Sequence, residues 1–203
     1  SHDPKSNKLP YFCNNKPSEH NTMQLETDRL ILRPWRLSDA ESLYRYASNP
    51  MVGPVAGWPP HSSVEESAEI IRSIFMQEGV FAVTLKGDDT AIGYIGVLCG
   101  KKSNFDIPAD EGEISYWIGV PFWGQGLIPE AMKAVIQHSF NSGIRILWCG
   151  YFDGNERSHR AQAKCGFTHH HTCQPQYYPL TGDVRVEHVS ILHNPRLKYC
   201  VAE

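Results

Sequence analysis

The 203-residue chain lacks what would place it in a membrane or outside the cell. No apolar run comes near the roughly 18 residues that a membrane-spanning helix needs. The opening SHDPKSNKLPYFCNNKPSEHNT has no apolar stretch of the kind a secretory signal carries. Paired cysteine motifs are lacking. The six residues Cys13, Cys99, Cys149, Cys165, Cys173 and Cys200 include no C-x-x-C pair, so they read as separate reduced thiols of a cytoplasmic protein rather than as a disulfide frame. Charge of one sign is lacking too. Nineteen Lys and Arg against 22 Asp and Glu give a formal net charge of -3. That argues against direct nucleic-acid binding or adhesion to an anionic membrane, and leaves room for a local basic pocket. There is no internal repeat, and no Lys-Ser/Thr follows the glycines at Gly124 and Gly126, which removes the Walker type of nucleotide site.

What is present is a globular composition, 41% hydrophobic and 11% aromatic, in a chain long enough to bury a core without staples. Residues 1–22 are polar and aperiodic and read as a flexible extension; residues 23–203 read as one domain. Alternation from Met23 predicts a first strand with Leu30 and Leu32 on one face and Arg29, Ile31 and Arg33 on the other. Ser38-x-x-Glu41 and Ser63-x-x-Glu66 are capping boxes for two helices, separated by the loop MVGPVAGWPP. Strands follow at Val80–Lys86, Ala91–Gly100 and Glu113–Val120, then a helix from about Pro129 to Ser142. A buried strand at Ile144–Tyr151, a helix capped by Asn155, and strands at Phe167–Cys173 and Val184–Leu192 complete the chain. The order β-α-α-β-β-β-α-β-α-β-β predicts a single α/β (α+β) domain with a mixed, mostly antiparallel sheet flanked by helices.

The most informative stretch is EISYWIGVPFWGQGLIPEAM, residues 113–132, where a strand runs through a glycine-bearing turn into the N-terminus of an amphipathic helix. Main-chain N–H groups at such a junction lack carbonyl partners and carry the positive end of the helix dipole. The expectation is an anion site, of a size for pyrophosphate. The same pattern also serves as a plain tight turn.

With LETDRLILRPWRLSDA, AIGYIGV and NERSHRAQAKCGF in the same order, this stretch resembles the GNAT (Gcn5-related N-acetyltransferase) superfamily, in its RimJ/RimL-like branch of ribosomal-protein N-terminal acetyltransferases. The resemblance spans residues 23–192. It implies acetyl-CoA as acetyl donor, no metal, and transfer to a primary amine, either a protein N-terminus or a small molecule, by direct attack in a ternary complex. The pyrophosphate is expected on the amides of Gln125, Gly126, Leu127 and Ile128. Trp123 stands where the family has Gln or Arg, and Ile128 where it has a small residue. Because the binding groups are main-chain, these changes alter the rim of the turn more than its chemistry. Main-chain groups of Ile118, Gly119 and Val120 complete the expected cofactor contacts, polarising the thioester carbonyl where the strand bulges. Asn155 is expected on the pantetheine arm, a role compatible with ordinary N-capping, and Ser158 near the sulfur. The wider superfamily has a tyrosine acid on this helix. Here that position is Gln162, which leaves Ser158, or a water it holds, to meet the departing thiolate. Glu113 is the expected general base, since an ammonium must lose a proton before it can attack.

The resemblance places the acceptor between GPVAGWPPHSS and CQPQYYPLTGD, with Trp58, His61, Tyr177 and Tyr178 as candidate walls. A second copy of the chain is an open partner. His169, His171 and Cys173 could converge on one strand face, but a zinc site would need a further, remote ligand. The reading from another class is a non-catalytic CoA-binding sensor or interaction module, supported by the missing tyrosine.

Overall fold

The computed structural model describes residues 23–197; the expected N-terminal extension, Cys13 and Cys200 lie outside them. Fifteen elements follow in chain order: β1 (Leu25–Glu26), β2 (Leu30–Arg33), α1 (Ala40–Ala47), α2 (Gly53–Ala56), α3 (Val64–Ile70), β3 (Val80–Leu85), β4 (Asp88–Cys99), β5 (Glu111–Ile118), α4 (Leu127–Asn141), β6 (Ile146–Phe152), α5 (Glu156–Lys164), β7 (Thr168–Thr172), β8 (Gln176–Tyr178), β9 (Asp183–Arg185) and β10 (Glu187–His193). Eight strands form one sheet in the order β1-β2-β3-β4-β5-β6-β10-β7, and β8-β9 is a separate ribbon. The predicted mixed, mostly antiparallel α/β domain is the observed one: only β5 and β6, joined through α4, run parallel.

Alternation sorts the strand side chains between two cores. Leu30, Leu32, Phe81, Val83, Ile114 and Ile118 face α4, whose Ala131, Met132 and Val135 stripe is fully buried. Val80, Ala82 and Tyr94 face Leu43, Ala47 and Ile71 of the first helices. Truncating a side chain such as Met132 to alanine removes transfer energy and leaves a void, about 2–5 kcal/mol.

Several local expectations are corrected. Ser38 does not cap α1. A short 3-10 turn, Leu37–Asp39, opens it, and the Asp39 carboxylate accepts from Arg36 N at 2.8 Å and from the buried Arg33 guanidinium at 2.8 and 2.9 Å. Arg33 holds Asp89 as well, at 2.8 Å, so the polar face of β2 is a buried ion-paired one. Ser63 does cap α3, accepting from Glu66 N at 3.0 Å. The Pro-rich loop contains α2, and the segment after Cys173 folds back as the β8-β9 hairpin.

The feature that makes the site is a fork. β5 pairs with β6 only from Glu111↔Ile146 to Glu113↔Trp148. Beyond Glu113, β5 stays with β4 to Ile118 while β6 stays with β10 to Phe152. The β4–β5 register runs without a shift. The expected bulge near Ile118 is therefore absent, and divergence of the two parallel strands opens the main chain instead.

Candidate active site

A cleft of about 250 Å³ lies at the mouth of the fork, bounded by α2, the end of β5, the turn into α4 and the first turns of α5. Gly124 and Gly126 take positive φ values of 75° and 73°, and Gly126 is the N-cap of α4 with no side-chain cap. These left-handed conformations favour glycine and turn the following amides outward. Among the described residues no acceptor faces the N–H groups of residues 124 to 128. A buried helix start without partners is costly; this one lines an open cleft, where an anion can supply them. Arg157, Arg160 and Lys164 of α5 line the same cleft. The Arg157 guanidinium lies over the Trp123 ring, 3.3 Å from its centroid, and Trp123 Nε1 donates to Ile118 O at 2.9 Å. From the outer side Arg29 braces the turn, donating to Gln125 O at 2.9 Å and to Glu130 Oε1 at 2.8 Å, while Thr27 donates to Glu130 Oε2 at 2.6 Å.

Of the β5 contacts, Ile118 is well placed and Gly119 is not. Gly119 N donates to Ile92 O at 2.8 Å. Antiparallel alternation then turns the Ile118 N–H away from β4, toward the fork. Val120 begins a short 3-10 turn outside the cleft lining, and Gln125 is exposed, so only its amide belongs to the anion turn.

On the opposite wall, Asn155 Oδ1 accepts from Ser158 N at 3.3 Å and caps α5, while its Nδ2 has no described partner. Ser158 Oγ lies 2.7 Å from the Tyr116 hydroxyl. Gln162 Nε2 reaches Tyr116 Oη at 3.2 Å, Gly150 O at 3.1 Å and Ser158 Oγ at 3.3 Å. Burial pushes the Tyr116 phenol well above its ordinary pKa, so it keeps its proton at neutral pH.

Glu113 stands at the crotch of the fork, nearly buried. Its Oε1 accepts from Ser103 Oγ at 2.7 Å and from Asn104 N at 2.8 Å. A second carboxylate shares the place. Glu187, at the start of β10, lies over Gly150, where an added Cβ would meet its Oε2 at 2.8 Å. Burial and the charge of Glu113 raise the Glu187 pKa to about 7.

The acceptor walls are divided. His61 is buried at 7% exposure, its Nδ1 2.8 Å from Ser67 Oγ and its main-chain N–H donating to Ala47 O at 3.0 Å. Burial holds its pKa below the usual histidine value. It fastens the loop to α1 and α3 from beneath Trp58, 5.3 Å from that ring, so its buried side chain supports the expected wall rather than forming its surface. Trp58 is half-buried, edge-on to Trp117 at 5.9 Å. Tyr178 packs edge-on against Phe152 at 5.0 Å, and Tyr177 is exposed. The Arg185 guanidinium, over the Phe152 ring, donates to Pro54 O and joins the β8-β9 hairpin to α2. On β7 a register shift between Val189 and Ser190 of its partner strand breaks the expected alternation of the histidines. His169 bonds Thr172 Oγ1 at 3.0 Å, and His170 and His171 bond each other at 2.7 Å. Among the described residues no group of three or more His, Cys, Asp or Glu is placed to hold a metal ion.

Residues 29–168 match the family described as an acetyltransferase (GNAT) domain. The chain belongs to the GNAT acetyltransferases. Acetyl-CoA is the acetyl donor of these enzymes, and the unpaired amides and basic rim fit its phosphates. The acetyltransferase is 31% identical over 123 residues to the uncharacterized N-acetyltransferase p20 of Bacillus licheniformis, covering 58% of this chain and 66% of that protein. It is 34% identical over 87 residues to the putative ribosomal N-acetyltransferase YdaF of Bacillus subtilis, covering 41% and 47%. Its fold is shared with Mycobacterium smegmatis RimJ, solved in complex with CoA-disulfide, at a TM-score of 0.67 and 18% identity over 86% of this chain and 88% of that one. Within the acetyltransferase, Ile118, Gly126, Leu127, Ile128, Asn155 and Ser158 line one cleft. Glu113, Trp58, Tyr177 and Tyr178 lie outside that lining. Sequence reasoning missed Tyr116 and Glu187. Tyr116 sits in the quoted motif, and its phase on β5 with Ile114 and Ile118 was the available signal. Glu187 carried none, because its role depends on Glu113 from a distant strand.

Proposed function

We propose that this acetyltransferase moves the acetyl group of acetyl-CoA to the amino terminus of a polypeptide, by direct attack within a ternary complex. The observation that carries the donor half is the row of partnerless amides from residue 124 to 128, beside Arg157, Arg160 and Lys164. These groups hold the diphosphate by hydrogen bonds and charge, and the Asn155 amide and Ile118 N–H take the arm that runs into the fork. Acetyl-CoA supplies the activated acyl carbon. Glu113, with Glu187 beside it, takes the proton that the acceptor ammonium must lose, directly or through water. A carboxyl with a pKa near 7 is half ionised at neutral pH, which suits that exchange.

The polypeptide acceptor is favoured by an apolar rim. Met51, just before α2, and Val55 on it are exposed, as are Tyr177, Leu180 and Val184 of the hairpin that Arg185 ties to α2 through Pro54 O. Apolar surface collected at a site mouth suits a chain that lays several residues across it. A ribosomal protein, as the name of the YdaF relative suggests, would be such a chain and would place the reaction in the cytoplasm. Tyr116 on β5 sets a phenol against Ser158 of α5 at 2.7 Å, which counts against a non-catalytic CoA sensor.

Thiol release from acetyl-CoA, screened across peptide N-termini, polyamines and aminoglycosides, tests the reading. Peptides are expected to react and small amines to be poor. Calorimetry showing no binding of coenzyme A would overturn it, and turnover confined to small amines would overturn the acceptor half.

A further inference from the structure

Resting on the reading of the cleft as a coenzyme A site, we infer that Gln162 and Tyr116 form a directed hydrogen-bond chain that leaves the Ser158 hydroxyl proton free to bond the sulfur of the departing thiolate. The direction follows from which groups can only donate or only accept. Gly150 O can only accept. Its 3.1 Å approach to the Gln162 side chain fixes the amide with nitrogen inward, since the reversed amide would set two oxygens against each other. Gln162 Oε1 is correspondingly a buried atom without a partner. One amide proton goes to Gly150 O. The other lies between Tyr116 Oη at 3.2 Å and Ser158 Oγ at 3.3 Å, so Gln162 donates into this hydroxyl pair and takes no proton from it.

Tyr116 has one proton to give. The Ser158 carbonyl, at 3.3 Å, is too far for a good O–H···O bond and already belongs to the helix ladder of α5. Ser158 Oγ is 2.7 Å away and takes it. The Cys149 sulfur is also within reach of the phenol, but a thiol is a weak acceptor and its own proton goes to Ile114 O at 3.2 Å. Ser158 Oγ therefore receives from Tyr116 and Gln162, which leaves its own proton for the cleft that it lines. Tyr116 and Gln162 are positioning residues: Tyr116 lines the cleft and Gln162 lies behind it, and both act through the serine by deciding where its proton points. Each donor polarises the next, so the last hydroxyl is a stronger donor than an isolated serine.

The test needs no acceptor. Coenzyme A is bound to the full chain, its thiol is titrated by the ultraviolet thiolate band, and the complex with desulfo-coenzyme A serves as blank. The bound thiol is expected to ionise at a lower pH than free coenzyme A. Tyr116→Phe and Ser158→Ala are each expected to raise that value by about one pH unit, a tenfold change in ionisation. Gln162→Met, which removes the obligate donor, is expected to shift it the same way. A bound thiol that titrates like the free one, or a shift in Ser158→Ala with none in either Tyr116→Phe or Gln162→Met, overturns the chain. Should Tyr116→Phe fail to fold, Gln162→Met decides between these outcomes. Failure of coenzyme A to bind overturns the chain together with the proposed function, whereas normal binding without the shifts overturns the chain alone.

Discussion

The proposed donor and acceptor sides of the fork are built from different materials. The donor side consists of main-chain amides at the start of a 15-residue helix, braced by Arg29 and Glu130, with α5 packed opposite. Its chemistry is carried by groups every residue has, so the side chains at Trp123 and Ile128 can depart from the family pattern. The acceptor side consists of side chains on a four-residue helix and a three-residue-strand hairpin, joined by Arg185 and Phe152. Its recognition resides in residues that can be exchanged without disturbing the core. On the proposed reading, cofactor binding rests on the backbone and acceptor recognition on replaceable surface.

Substitutions that separate the two sides can break that contrast. The largest effect is expected for Glu113→Gln. Loss of the proton acceptor should lower kcat by about a hundredfold or more, with the calorimetric affinity for coenzyme A unchanged; an equal loss of affinity would place Glu113 on the donor side. Next comes Gly126→Val. A β-branched residue forced to a φ of 73° should weaken coenzyme A binding at least about tenfold, with KM for the acceptor unaltered. The double change Tyr177→Ala, Leu180→Ser should raise KM for peptide acceptors about three- to tenfold, while stability moves by no more than about 0.5 kcal/mol; an equal effect on small amines would refute the apolar rim. The smallest effect sharpens the contrast through pH. The folded chain binds the Glu187 proton more tightly than the unfolded chain does. This group's contribution to stability is therefore whole below the ordinary carboxyl value of 4.5 and is lost as pH rises through about 7. Glu187→Gln should remove that fall from urea titrations between those limits.

The sequence made the donor side legible because its signals are local. Gly124 and Gly126 ahead of Pro129 announce a helix start, Asn155-x-x-Ser158 announces a cap, and alternation from Val80 to Cys99 announces strands. What stayed hidden depends on contacts between distant segments. Ser38 looked like a cap until Arg33 claimed Asp39. His61 on a Pro-rich loop gave no sign that Ser67 buries it. The hairpin around Pro179 to Gly182 is too short to show alternation. Tyr116 and Ser158 lie 42 positions apart and meet only because α4 carries the chain across to β6. Divergence of β5 from β6 is likewise a property of two strands, and a bulge in one was the nearest single-strand guess.

Arg29 couples parts of the molecule that would otherwise be strangers. It belongs to the first hairpin, yet it holds the carbonyl of Gln125, 96 positions later. Any ligand that stiffens the phosphate turn must also still the beginning of the sheet. Amides of residues 25–33 should therefore exchange more slowly with heavy water when coenzyme A is present, although none of these residues lines the cleft. Read in reverse, the same coupling makes the early chain a guarantor of nucleotide capture: a polypeptide shortened past Arg29 would keep its glycines in place and still lose its grip.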